Sequence, residues 1–112
     1  MLPKTNRITR ADDYKRVVRR GSRFAGQSIL TYLHRREEGQ ATRFGFIVAK
    51  NVGPAVTRNR VRRRLKAASY ELLPSISTGW DVVVRALPAS ASASWDSLRG
   101  ELTRSVIKGT TR

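Results

Sequence analysis

Arg43-Phe44-Gly45-Phe46-Ile47-Val48-Ala49-Lys50, then Asn51-Val52-Gly53-Pro54, then Ala55-Val56-Thr57-Arg58-Asn59-Arg60-Val61-Arg62-Arg63-Arg64-Leu65-Lys66 is the stretch that decides the fold. Its first part, residues 43–50, alternates Phe44, Phe46 and Val48 with Gly45, Ile47 and Ala49. Both sides are largely apolar, the pattern of a strand central in a sheet. Val52-Gly53-Pro54 breaks that strand. Beyond it the apolar period changes from two to that of a helix, roughly 55–73, with Val61, Leu65, Ala68 and Leu72 as its inward stripe.

Working outward on the N-terminal side, Ala11, Tyr14, Val17 and Val18 recur at helical spacing over about 10–20. Thr9 stands where an N-cap belongs, and Asp12 and Asp13 sit in a first turn that favours acids. Arg19, Arg20 and Gly21 close this helix. Residues 28–35 read as a strand, with Ile29 and Leu33 on one face and Leu30 and Tyr32 on the other. A short extra strand around 23–26 is weakly signalled. On the C-terminal side, Pro74 and the polar run to Gly79 end the basic helix. Trp80, Val82 and Val84 alternate with Asp81, Val83 and Arg85 in a strand stopped by Pro88. Ala89 to Ser94 is a linker or N-cap region, and a last helix over about 92–107 turns Trp95, Leu98, Leu102 and Val106 inward. The predicted order is α-β-β-β-α-β-α, an α/β arrangement (an α+β sandwich) in a single domain. At 112 residues the chain holds one core, not two.

Charge narrows the function. The formal net charge is +15, and self-repulsion of that size is most simply explained by a polyanionic partner. Residues 1–66 hold 18 Lys/Arg against 4 Asp/Glu, whereas residues 67–112 hold 5 against 4. The partner therefore meets the first two thirds of the chain. Arg58, Arg60, Arg62, Arg63, Arg64 and Lys66 follow one another with no acid between them. Projected on a helix, Asn59, Arg62, Arg63 and Lys66 lie opposite the apolar stripe, with Arg58, Arg60 and Arg64 on the flanks. Like charges four residues apart destabilise an isolated helix. Guanidinium forks match phosphate oxygens, and Asn59 can read a base edge or a 2′-hydroxyl.

Other classes fit less well. The absence of cysteine excludes disulfides, thiolate metal sites and a cysteine nucleophile. The acids form no spaced cluster for a two-metal nuclease, and the lone His34 lies beside arginines on a strand, so no catalytic residue and no metal ligand is assigned. No apolar run approaches the ~20 residues that cross a bilayer, and the first residues carry no secretory h-region. No membrane partner and a cytoplasmic location are expected. A DNA-binding helix-turn-helix fits poorly, because the basic helix follows a strand rather than a partner helix.

The ordered set Arg43-Phe44-Gly45-Phe46-Ile47-Val48-Ala49-Lys50, Val52-Gly53 and Arg58-Asn59-Arg60-Val61-Arg62-Arg63 resembles the central motif of the bacterial ribonuclease P protein family. Arg7-Ile8, Asp13-Tyr14, Asp81-Val82-Val83-Val84-Arg85 and Pro88 extend the likeness over nearly the whole chain. The resemblance implies a left-handed β-α-β crossover and contact of the catalytic RNA with Arg58, Asn59, Arg60, Arg62, Arg63 and Lys66. It implies a cleft for the 5′ leader of precursor tRNA at Tyr14, Val18, Tyr32 and Lys50, and cleavage by the RNA with Mg²⁺, the protein itself holding no cofactor. Val18 stands where many members carry an aromatic residue, Asn51 where a second basic residue is common, and Lys66-Ala67 where Arg-Glu is frequent. A generic RNA-binding module, such as a ribosomal protein or RNA chaperone, shares the composition but not this ordered set.

Overall fold

The computed structural model describes residues 2–111. Three helices and four strands follow the expected order: α1 (Ala11–Arg20), β1 (Ser22–Ala25), β2 (Ile29–Arg35), β3 (Arg43–Ile47), α2 (Ala55–Leu72), β4 (Trp80–Ala86) and α3 (Trp95–Thr110). The strands form one sheet in the order β1-β2-β4-β3. β2 is antiparallel to β1 and β4, whereas β3 lies parallel to β4 and reaches it through α2, a β-α-β crossover.

Both faces of the sheet are covered. On one, α2 and α3 bring Val61, Leu65, Leu98, Leu102 and Val106 against Ile29, Leu33, Phe44, Val82 and Val84. On the other, α1 and the segment before it bring Val17 and Ile8 against Tyr32 and Val83. β4 lies between the two clusters.

The strand at 43–50 is therefore not central: β3 is an edge. It is apolar on both sides because helices cover both faces, and its free edge is closed by other means. The Ile8 amide donates to the Phe44 carbonyl at 2.8 Å, and Arg7 bridges to Phe44. The Phe46 amide donates to the Tyr14 hydroxyl at 3.2 Å. Capping an edge in this way removes a template for strand pairing. β3 also ends earlier than expected, and Lys50 opens a short 3₁₀ turn, Lys50–Val52.

Four local expectations are corrected. Thr9 does not cap α1; Arg10 holds the N-cap position without a side-chain bond. Ala11 is exposed, and its place on the inward side is taken by Asp13. Gly21 ends the helix with φ −75°, not left-handed. A Cβ there would stand 2.5 Å from the Val17 carbonyl oxygen and 2.8 Å from that of Leu33, so close approach of backbones, not φ, demands glycine. The last helix starts three residues later than expected, where Ser94 accepts from the Ser97 amide.

Asp13 is inward because it belongs to an ionic knot. Asp81, 1% exposed, takes a two-pronged contact from Arg43, Nε to Oδ1 at 2.8 Å and Nη2 to Oδ2 at 2.7 Å. Arg36 approaches the same carboxylate at 3.5 Å, while Asp13 joins Arg43 at 3.5 Å and Arg16 at 2.9 Å. The hydrogen bond to Asp81 raises the Arg43 pKa above its ordinary value. Arg43 thus stays charged at every working pH, and its contribution would be lost only in strong alkali. Asp81→Ala would leave Arg36 and Arg43 without their shared counter-charge. The expected cost is about 3 kcal/mol in urea unfolding, the lower end for a broken buried pair because Arg43 is partly solvated.

Candidate nucleic-acid interface

The basic helix α2 divides its cations by what they touch. Arg60 and Arg64, one turn apart, turn toward the segment leading into α3: Arg60 Nη2 donates to the Ala91 carbonyl at 2.7 Å, and Arg64 Nη1 to that of Ala93 at 3.2 Å. Arg60 Nε is buried beside this contact without a partner. Arg58 Nε donates back to the Gly53 carbonyl at 3.1 Å. Arg62 Nη1 donates to Asn59 Oδ1 at 2.9 Å, so this pair is presented as a unit. Asn59 and Arg63 are exposed, and Arg62 and Lys66 are half-buried. Among the described residues, no cation from Arg58 to Lys66 pairs with a carboxylate. The like-charge strain read from the sequence is thus offset partly by backbone carbonyls and otherwise left uncompensated.

The opposite side of the sheet carries a half-buried apolar surface beside α1. Cross-strand partners share a face, so Arg23, Tyr32, Val83 and Gly45 form one row under α1, and Ala25, Leu30, Arg85 and Ile47 form the next. In the first row Tyr32 and Val83 are buried in the cluster with Val17; in the second Ala25 is exposed and Leu30, Arg85 and Ile47 are only half-buried. Tyr14 and Val18 overhang this apolar ground from α1, both half-buried. Tyr14 is tightly seated, since a Cβ on Gly45 would meet its ring at 2.6 Å.

Three of the four expected cleft residues, Tyr14, Val18 and Tyr32, therefore fall in one cluster. Tyr32 is 7% exposed. It packs with Val17 and Val83 in the buried cluster, so little of its ring reaches the surface. Lys50 lies outside this cluster, exposed on the turn that follows β3. Sequence reasoning missed Arg85. It occupies the second row, between Leu30 and Ile47, and its Nε is buried without a partner. The available signal was an arginine inside an otherwise apolar strand, at a position whose neighbours on the same face are aliphatic.

Four of the eight acids are engaged elsewhere. Asp13 and Asp81 hold the ionic knot, Glu71 meets Arg99 at 3.3 Å, and Glu101 accepts from the Ser28 amide at 3.0 and 3.2 Å.

The sequence matches the ribonuclease P family over residues 2–109. The chain belongs to the ribonuclease P protein family. It is 45% identical over 109 residues to the ribonuclease P protein component of Clavibacter michiganensis, covering 96% of both chains. It is 48% identical over 99 residues to that of Pseudarthrobacter chlorophenolicus, covering 88% of this chain and 73% of the relative. The solved RNase P protein of Staphylococcus aureus superposes with a TM-score of 0.80 at 25% identity, over 94% of each chain. Membership makes the chain a subunit of the ribonuclease P holoenzyme, an endoribonuclease of tRNA processing.

The division of α2 has a measurable consequence for family members built this way. Arg60→Ala removes a half-buried, charge-assisted bond and is expected to lower stability by about 1.5 kcal/mol. Arg63→Ala, fully outward, is expected to leave the unfolding midpoint unchanged, and parallel urea titrations of the two variants check this.

Proposed function

We propose that the chain binds the catalytic RNA of ribonuclease P through the outward face of α2 and the 5′ leader of precursor tRNA in the cleft beneath α1, promoting removal of the leader. The carrying observation is the run of cations on α2 that no carboxylate of the described residues neutralises. Asn59, Arg62, Arg63 and Lys66 contact the RNA directly. Arg58 and Arg60 act mainly by holding the helix against its neighbours, with their remaining N–H groups turned to phosphate. Bond cleavage belongs to the RNA and its Mg²⁺ ions; the protein holds no cofactor, reduces the repulsion between two polyanions and works in the cytoplasm. Among the described residues no helix is long and apolar enough to cross a membrane.

In the cleft, Tyr14 and Val18 form one wall, Leu30, Tyr32 and Ile47 the floor, and Arg85 and Lys50 supply the charge. Apolar and aromatic ground accepts any base, which suits leaders of varied sequence, while the cations hold the phosphates. Mature tRNA lacks the leader and so cannot fill this cleft. A leader interaction of ~1–3 kcal/mol favours substrate over product by about 5- to 150-fold.

Reconstitution tests the whole reading. Added to the catalytic RNA and precursor tRNA at low Mg²⁺, the protein is expected to raise 5′ cleavage; binding without enhancement would indicate a generic RNA-binding module. Arg62→Ala with Arg63→Ala is expected to weaken assembly with the catalytic RNA. It should also flatten the log–log salt dependence by about 0.7–0.9 for each phosphate that the variant no longer neutralises. Arg85→Gln is expected to reduce affinity for leader-bearing tRNA at least about fivefold while sparing mature tRNA; equal weakening on both would remove Arg85 from the leader site.

A further inference from the structure

A second, smaller recess lies around the free edge of β3, where α2 meets the segment before α1. It encloses about 210 Å³ and is lined by Arg7, Ile8, Thr9, Tyr14, Phe44, Phe46, Arg62 and Lys66. Its composition is unlike the rest of the surface. Three aromatic rings and an isoleucine make its walls, three cations surround it, and no carboxylate lines it. Phe44 and Phe46 lie nearly parallel, with their ring planes 6° apart and their centroids 6.5 Å apart. Arg7 is held at the rim by its Nε bond to the Leu2 carbonyl at 2.8 Å, and Tyr14 by its bond from the Phe46 amide. It shares Tyr14 with the wall proposed for the leader, but none of Val18, Leu30, Ile47 or Arg85 lines it, so it opens toward α2 rather than toward that row of the sheet.

We propose that this recess takes one unpaired nucleotide of the catalytic RNA. The base lies against Phe46 and Tyr14, its phosphates lie between Arg62, Lys66 and Arg7, and the Thr9 hydroxyl bonds the base edge or 2′-hydroxyl. The volume favours a single base, since pockets for larger organic ligands run from about 300 Å³ upward. Aromatic walls with cations and no acid are the chemistry that single-stranded nucleic acid selects. Arg62 and Lys66 line the recess from the helix that faces the catalytic RNA, which favours that RNA over the leader as the source. The inference rests on the proposed function of α2 and adds to it a site at which one nucleotide is unstacked.

Two variants test it in the reconstituted holoenzyme. Phe46→Leu removes the aromatic face, and Thr9→Trp fills the recess from its exposed rim while keeping every α2 cation in the chain. Chemical probing of the catalytic RNA should show one nucleotide protected by the native protein and reactive with both variants. Affinity for the catalytic RNA should fall about 5- to 150-fold in Phe46→Leu, the range for removal of one stacked base, with discrimination between leader-bearing and mature tRNA unchanged. Abolished discrimination at unchanged affinity for the catalytic RNA would overturn the proposal by giving the recess to the leader. Unchanged affinity and no variant-sensitive nucleotide would also overturn it. In that case, weakened binding by Arg62→Ala with Arg63→Ala leaves the function of α2 standing, whereas unchanged binding there removes that reading too.

Discussion

The structure depends on one strand being buried from both sides. Val82 and Val84 of β4 point into the cluster under α2 and α3, Val83 points into the cluster under α1, and all three are fully buried. A strand so placed brings both faces of the sheet under helices in a chain this short. Its one carboxylate, Asp81, sits where the core gives way to the charged rim, and the buried charge is tolerable because Arg43 and Arg36 converge on it. Through Arg43 the same knot reaches Asp13 and fixes α1 over the sheet. The apolar surface beside α1 and the basic helix α2 are thus set on opposite sides of one sheet.

The arginines are sorted by this framework. Arg16, Arg36 and Arg43 are engaged by carboxylates, and Arg58, Arg60 and Arg64 by carbonyls. What stays outward on α2 is a smaller, coherent set around Asn59, Arg62, Arg63 and Lys66. Net charge alone gave no hint of this division, because a guanidinium that clasps a carbonyl and one that awaits a phosphate count the same.

Helix and strand identity was legible in the sequence because period and breakers agreed: the change at Val52-Gly53-Pro54 and the stripe Val61, Leu65, Ala68 and Leu72 locate α2 within a residue. Strand order was not. Phe44 to Val48 reads as a central strand because apolar residues on both sides report covered faces, whereas edge position depends on backbone partners, which leave no periodicity. Thr9 failed as a cap for a related reason: the chain before α1 is pinned to β3 by the Ile8 amide, and Arg10 rather than Thr9 takes the N-cap position. At the site, the basic face of α2 was legible from composition. The burial of Tyr32 and the unpartnered Nε of Arg85 were not, since both depend on which sheet row α1 covers.

The carbonyl-bound arginines also change the energetics of recognition. Arginine carries ~2 kcal/mol of rotamer entropy, and a surface built only from free arginines would lose much of it on meeting RNA. Arg60 and Arg64 have already surrendered theirs in the folded protein, bridging α2 to the segment that starts α3. Their charge stays on the helix and adds to the field felt by phosphate, while their position is fixed before the RNA arrives. The Arg62–Asn59 bond does the same on the outward side at 2.9 Å. A fan of like charges would otherwise splay or unwind the helix. Here the protein backbone restrains part of it, so the polyanion meets a shaped surface rather than a cloud of mobile cations.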